Sequence, residues 1–541
     1  MKKKICYLLG DYNLDLLNAD DHRLTGEYLD LLTSYCYLPV INRPSRVTAT
    51  SATIIDNIFT NNLADMHNCM HGVLVTDISD HYPIFHINFK QPNLKVDNYI
   101  IKRKYTSQNR NAFINELNGI DWLQVTQFSS TNDSFNCFHS ILKKLHEKHF
   151  PKIKIKIRYR NNKPWLTDDL RESIKVKNKL YCLSKRIPCT INEENYRIFK
   201  NRLQHRIRSE EKKYFGELFD KYKGNMKKSW GLIKDIIFRG KKSKIQTKFI
   251  SNGNLITDKN IVCDKFNSFF TGIGPTLANA IPNQNRVPES YLDAKILNSM
   301  FLTMVTDEEV VKIVNDLKNG APGYDDIPAS ILKLSLPIIT VPLVHVLNLS
   351  LFEGIFPDAL KVANVIPLFK NGDPKQFNNY RPVSLLCVLS KVFEKVMYSR
   401  INDYLTIYEI LYQYQFGFRK DHSSYMALMV LMNKITECLE KGDFVVGVYL
   451  DFSKAFDTVN HNILLSKLDH YGIRGTALSW FKSYLSNRTQ YVTYNDASST
   501  PKYISCGVPQ GSILGPLLFL LYINDLNLIC DDAMSIFFAD D

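Results

Sequence analysis

The stretch Phe444-Val-Val-Gly-Val-Tyr-Leu-Asp451-Phe-Ser-Lys-Ala-Phe-Asp457 decides how the rest of the chain is read. Phe444–Leu450 is continuous, apolar and rich in β-branched and aromatic residues, the pattern of a strand buried on both faces. Asp451 stands at the mouth of that strand. Ala533–Phe538 reads as a second strand, with Asp540 and Asp541 at its end. Laid side by side in one sheet, the two strands would bring three carboxylates together. Three acids at one point repel unless cations neutralise them. Hard divalent ions such as Mg2+ take oxygen ligands, and a pair of them stabilises both oxygens of a phosphoryl transfer. An Asp after a strand is also an ordinary turn residue, so the carboxylates alone leave both readings open.

Working outward, helical segments Val459–Leu468 and Leu514–Leu521 lie between the two strands. Thr306-Asp-Glu-Glu309 is a capping box before Val310, Val311, Ile313, Val314 and Leu317, which recur at helical spacing. Asn319-Gly320 is predicted to end that helix. Residues 301–541 therefore read as a mixed α/β domain. Residues 91–300 read as mainly helical and polar, with Thr167 capping a helix that opens on Asp168 and Asp169, and a longer one over Tyr196–Phe219. Residues 1–90 read as short strands, Ile5–Leu9, Ile54–Phe59, Gly72–Val75 and Ile84–Phe89, separated by turns.

The chain of 541 residues carries a net charge of +14, unevenly spread. Residues 141–250 hold 32 Lys and Arg against 11 Asp and Glu, a balance of +21, so the rest of the chain is net −7. A basic block between neutral or acidic flanks points to a polyanion, most often nucleic acid. Eleven cysteines without paired C-x-x-C spacing argue against a zinc ribbon or a secreted disulfide framework. The apolar stretch Ile5–Leu9 is too short for a signal peptide core, and no membrane-spanning run is expected. The expected location is cytoplasmic or nuclear, not secreted.

The words around the carboxylates are more specific than the carboxylates. Asp451-Phe-Ser-Lys-Ala-Phe-Asp457, Gly507-Val-Pro-Gln-Gly-Ser-Ile-Leu-Gly-Pro516 and Phe538-Ala-Asp-Asp541 resemble, in that order, motifs A, B and C of a reverse transcriptase. Asn319-Gly-Ala-Pro-Gly-Tyr-Asp-Asp-Ile327 resembles the block before the fingers. Val365-Ile-Pro-Leu-Phe-Lys-Asn-Gly-Asp373 and Asn379-Tyr-Arg-Pro-Val-Ser-Leu385 resemble the fingers, and Tyr414-Gln-Phe-Gly-Phe-Arg419 the block preceding the palm. The blocks cover roughly residues 306–541, and their wording resembles non-LTR retrotransposons of the jockey type. The resemblance implies fingers and palm of a right-hand polymerase at 301–541. It implies two Mg2+ ions on Asp451, Asp540 and Asp541, with an RNA template, a DNA primer or target and deoxynucleoside triphosphates as partners. Phe456 would crowd the 2′-position, Gln510 would line the nucleotide pocket, and Lys370 and Arg381 would reach the triphosphate. Phe538 stands where a Tyr is commoner.

A second constellation lies near the N-terminus: Gly10-Asp-Tyr-Asn13 after a strand, Ile55-Asp-Asn-Ile-Phe59, and Ser79-Asp-His-Tyr-Pro83. A His beside carboxylates can serve as a general base when one acid orients it. The ordered triplet resembles the C-terminal part of an endonuclease/exonuclease/phosphatase family enzyme, an α/β sandwich. By that resemblance Asp11 and Asn13 would contact the scissile phosphate, Asp56 would orient His81, and Asp80 would help hold a metal. That family's earlier Asn and Glu have no counterpart here. The remaining strands are expected to lack neighbours, and the segment is expected not to nick DNA. At the other end, the family continues past the Ala-Asp-Asp turn with a further strand and the thumb. The chain is thus expected to be a truncated product of low activity: a partial endonuclease at 1–90, a basic helical linker at 91–300, and a polymerase ending at motif C.

Three functions follow. The first is an RNA-directed DNA polymerase with a relic endonuclease. The alternative is a non-catalytic nucleic-acid-binding remnant of the same protein. The third, a maturase-like splicing factor, leaves Gly10–Asn13, Asp56 and Ser79–His81 without a role. In the basic middle, Tyr181, Tyr196, Tyr214 and Tyr222 among Lys and Arg would suit either base stacking beside phosphate contacts or the seam of a helix pair.

Overall fold

The structure is a computed structural model and describes residues 5–48, 50–62, 69–76, 78–89, 99–156, 163–237, 246–251, 253–281, 287–293, 295–529 and 533–539. Two compact units emerge, one of residues 1–100 with 155–243, the other of residues 101–154 with 244–541.

In the first unit, strands Tyr7–Asp11 and Asp56–Thr60 pair antiparallel, in register from Tyr7 opposite Thr60 to Asp11 opposite Asp56. Leu38–Pro39 joins the other edge of Asp56–Thr60, and Cys69–Val73 pairs with Ile84–Asn88. The expectation that these strands lack neighbours is corrected: each predicted strand finds a partner. Val40, Ile41 and Ile58 form the small core, with Tyr7, Val73 and Ile84 packed on it. Ser45 is fully buried, and its hydroxyl accepts from the amides of Ile55 and Asp56 at 3.2 and 3.0 Å. Those bonds fix the start of the strand that carries Asp56.

The same unit holds a helical pair, Asp168–Arg186 and Thr190–Lys221. Thr167 caps the first, as predicted, its hydroxyl accepting from the Leu170 amide, with Asp168 and Asp169 in the first turn favourable to the helix dipole. Tyr181 and Tyr196 meet ring to ring at 5.2 Å, and Trp165 lies on Tyr214 and Phe215 at 5.9 and 5.4 Å. Of the two readings of these tyrosines, the seam is what Tyr181 and Tyr196 adopt.

The second unit is built around helix Ala329–Glu353, apolar on nearly every face and ended by Gly354 in the left-handed conformation. Ile339, Leu343, Val346 and Leu347 are buried in it among side chains of helices Thr131–His149, Val388–Ile407, Gly475–Leu485 and Leu514–Ile523. By length and composition this helix could cross a membrane, which corrects the expectation that no run is long enough. Half of its most apolar window is buried against the core, as a central helix of a globular unit would be.

The expected linker over 91–300 does not stay together. Phe113, Leu117, Phe135, Phe138 and Leu142 share the core of Ile339 and Leu343. Helix Lys259–Asn279 sends Val262, Phe266 and Phe270 against Ala363, Val365, Tyr380 and Val492. A polar, helical texture marks 91–300 as one linker, but apolar stripes decide what packs.

Val362–Phe369 pairs antiparallel with Tyr380–Leu385, and Thr489–Tyr494 adds in parallel. Thr306 caps helix Asp307–Asp316, its hydroxyl accepting from the Glu309 amide. The helix ends at Leu317, ahead of the predicted Asn319-Gly320 stop. Glu309 itself is held by Arg400, whose Nη2 donates to Oε2 at 2.8 Å.

The strand over Phe444–Leu450 is the main correction. The segment has no ladder, and Phe444, Val446, Val448 and Tyr449 are largely exposed. Ala533–Phe538 is not a strand either. Phe537 instead sits beside the Tyr414–Phe416 segment: the Phe416 amide donates to the Phe537 carbonyl at 2.8 Å, and the Phe537 amide to that of Tyr414 at 3.0 Å. A strand exists through its neighbours, because its N–H and C=O groups pair only across a ladder. An apolar β-rich run specifies the wish for burial and leaves the partner open.

Candidate active site

Asp451 is exposed, at the end of the unpaired segment. Asp540 and Asp541 lie outside the described residues. The side chains that the structure does bring together belong to the two loops following Asp451 and Cys506. Ala455–Asp457 forms one 3-10 turn, entered through Lys454 in the left-handed conformation. The loop from Gly507 to Gly511 docks on that turn through the backbone. The Gly507 amide donates to the Val459 carbonyl at 2.7 Å, and the Val508 amide to that of Phe456 at 2.8 Å. Gly507 has φ +85°, and a Cβ there would lie 2.9 Å from the Asp457 carbonyl oxygen, so only glycine allows this approach.

Gln510 is held at both ends. Its carbonyl accepts from the Ser384 amide at 2.8 Å, tying the loop to strand Tyr380–Leu385. Its side-chain Nε2 donates to Asp457 Oδ1 at 2.8 Å. Burial pushes the Asp457 carboxyl up to about 6, against the pull of Gln510 and Lys454. His461 Nε2 donates to the Gly507 carbonyl at 2.7 Å. Asp457 carried no role in the sequence reading. Its signal was available as a second acid within the Asp451–Asp457 block, but only the fold shows it meeting Gln510.

Phe456 is half-buried, its ring 4.9 Å from Phe519 and 5.7 Å from Phe418. Lys370 and Arg381 are exposed at one end of the hairpin of Val362–Phe369 and Tyr380–Leu385. Arg381 stands opposite Leu368, and the Lys370 amide donates to the Asn379 carbonyl at 2.9 Å. Helix Leu514–Ile523, which follows the Gly507–Gly511 loop in the chain, is capped by Glu394 from another helix. Its Oε2 accepts from the Ile513 and Leu514 amides at 2.6 and 3.3 Å, and its Oε1 from the Ser390 hydroxyl at 2.8 Å.

In the first unit, the register that sets Asp11 opposite Asp56 brings both carboxylates to one end of the ladder. His81, bridged to Arg46, completes the group. Its Nδ1 lies 2.9 Å from Asp56 Oδ2 and 3.8 Å from Asp11 Oδ2. One atom from each of Asp11, Asp56 and His81 falls within 4.8 Å of the others, a spacing that suits a divalent cation. Asn13, with φ +53°, donates its amide to Asp11 Oδ1 at 3.0 Å. Asp80 is mostly exposed and pairs with Arg46 at 3.0 Å, while its carboxylate stands 3.9 Å from His81 Nε2.

Residues 370–541 match the family model described as reverse transcriptase (RNA-dependent DNA polymerase). The chain is 33% identical over 244 residues to a probable RNA-directed DNA polymerase from transposon BS of Drosophila melanogaster, covering 43% of this chain and 26% of that protein. It is 34% identical over 243 residues to the RNA-directed DNA polymerase from mobile element jockey of the same organism, covering 44% and 26%. It is 35% identical over 218 residues to a probable RNA-directed DNA polymerase from transposon X-element, also of Drosophila melanogaster, covering 40% and 24%. The chain thus spans about a quarter of the length of these curated relatives.

Proposed function

We propose that the chain is the RNA-directed DNA polymerase portion of a jockey-like non-LTR retrotransposon protein. The observation that carries this is the docking of the Gly507–Gly511 loop on the turn after Asp451, within a segment that matches the reverse transcriptase family. In this reading Asp451, Asp540 and Asp541 are the ligands of two Mg2+ ions; all three donors are carboxylate oxygens, which suits a hard cation. Bound there, the ions supply Lewis-acid stabilisation to nucleotidyl transfer. The chain's own part is positioning. Phe456, backed by Phe519 and Phe418, limits room beside the sugar. Gln510 presents a fixed amide, and Lys370 and Arg381 supply cations for the triphosphate. RNA template and DNA primer are the macromolecular partners, with the basic helices Asp168–Arg186 and Thr190–Lys221 contacting phosphates without reading bases.

The Asp11, Asp56 and His81 cluster belongs in this reading to an endonuclease/exonuclease/phosphatase site. Asp56 orients His81 through Nδ1, leaving Nε2 for a proton. The competing reading, a non-catalytic nucleic-acid-binding remnant, draws support from the exposed, unpaired setting of Asp451. Primer extension on an RNA template with Mg2+ and deoxynucleotides, by the chain and by Asp451→Ala, separates the two. Extension lost in the variant supports the polymerase. RNA binding with extension by neither protein supports the remnant.

A further inference from the structure

We propose that Asp457 is a positioning residue: it orients the Gln510 amide so that the pocket meets the carbonyl Oε1, an acceptor for a hydrogen-bond donor on the incoming nucleotide. The inference rests on the polymerase reading of the Gly507–Gly511 loop. An ionised carboxylate can only accept, so Asp457 Oδ1, 2.8 Å from Gln510 Nε2, decides which end of the amide turns inward. The main chain leaves Gln510 little freedom to answer otherwise. Its carbonyl is held by the Ser384 amide, and the loop is pinned by Val459, Phe456 and His461. Gly511, with φ +121°, would place a Cβ 2.7 Å from the Ser384 carbonyl oxygen, so the approach of loop to fingers depends on glycine there too.

The surroundings make this orientation sensitive to protonation. Lys454 faces Asp457 from its own turn, and the Cys506 thiol donates to the Asp457 carbonyl at 3.5 Å. Asp457, Ser384, Gln490 and Gln510 also line a cavity of about 40 Å³ together with Arg488. Arg488 is buried, its guanidinium 4.8 Å over the Tyr484 ring and its Nη1 donating to the Tyr484 carbonyl at 3.1 Å. The cavity has room for water, which needs roughly 10–15 Å³ and polar partners. Once protonated, Asp457 becomes a donor and can bond Oε1 instead, turning the amide so that N–H groups face the nucleotide. The sign follows: the acceptor is presented above the Asp457 transition and lost as pH falls through it.

The test is single-nucleotide addition from pH 5 to 8 by the wild-type chain, Asp457→Asn and Asp457→Leu, with the Gln510 side-chain amide protons followed by NMR. We expect Asp457→Leu to raise nucleotide KM about tenfold, the worth of one hydrogen bond, with kcat within about twofold. The Gln510 amide should lose protection from exchange in the same variant. Asp457→Asn should keep KM within about twofold at pH 8 and abolish the wild-type rise in KM on acidification. An unchanged KM in Asp457→Leu, in a chain that adds nucleotide, overturns the positioning role and leaves the polymerase standing. If the wild-type chain binds RNA yet adds no nucleotide, the polymerase reading fails. The NMR then decides the remaining part: protection that depends on Asp457 supports the orientation, and unprotected Gln510 protons in the wild type overturn it.

Discussion

Glu394 offers the sharpest test of how the helix after the Gly507–Gly511 loop is held. It is fully buried on helix Val388–Ile407 and reaches across to the start of helix Leu514–Ile523. Its two oxygens accept three hydrogens, from the Ile513 and Leu514 amides and the Ser390 hydroxyl. Those amides are first-turn donors with no partner inside their own helix. Glu394→Ala removes the acceptor and leaves two amides orphaned away from water, each costing about 1–3 kcal/mol, with a further loss for the cavity. A total of about 4 kcal/mol is expected. Glu394→Gln should cost only about 1 kcal/mol. Its Oε1 can take both amides and its Nε2 can donate to Ser390, so little is lost besides the charge near the helix N-terminus.

The pH dependence gives a second handle. Burial raises the Glu394 carboxyl above the usual glutamate range, against the pull of Ser390, Arg488 and the two amides. In that window the folded chain binds more protons than the unfolded one. Stability is therefore greater at the acid end and falls as pH rises from the ordinary glutamate value through the raised one. Glu394→Gln should lack this fall. The assay is hydrogen exchange of peptides covering Leu514–Ile523, because a chain of two compact units need not unfold in one step. A loss of about 4 kcal/mol corresponds to exchange faster by about three orders of magnitude. Equal losses in the Ala and Gln variants would refute the reasoning, showing that the charge rather than the acceptor count holds the helix.

Two further outcomes follow. A Cβ at Gly323 would run into the backbone of Leu386 and Cys387, so Gly323→Ala should destabilise the second unit by about 2–3 kcal/mol; a thermal midpoint equal to wild type would contradict the contact. RNA affinity should fall steeply with salt if the basic helix pair contacts phosphates. Arg202→Ala with Arg208→Ala, both exposed on helix Thr190–Lys221, should then reduce the slope of log affinity against log salt by about 1.5, alike for unrelated RNA sequences. An unchanged slope would remove those two arginines from the interface.

Local signals were legible in the sequence wherever a few neighbouring residues decide the outcome. Thr167 and Thr306 cap helices because a hydroxyl reaches an amide only three residues on. The four N-terminal strands were readable as short β-rich runs between turns. The order of motif words was legible too, since it is a property of the chain. What the sequence left open is everything that depends on which surfaces meet. The apolar run Phe444–Leu450 asks for burial, yet the segment Ala533–Phe538, read as its neighbour, lies against Tyr414–Phe416 instead. The basic region reads as one linker, yet Phe135, Phe138 and Leu142 carry part of it into the core of the second unit. Asp11 and Asp56 are 45 positions apart in the chain and become neighbours through strand register. Asp457 gains its partner Gln510, and the Leu514–Ile523 helix its cap from Glu394, by the same kind of distant meeting. Hydrogen bonds and burial act over a few ångströms, so sequence determines them only where the chain itself keeps residues that close; elsewhere the tertiary packing decides.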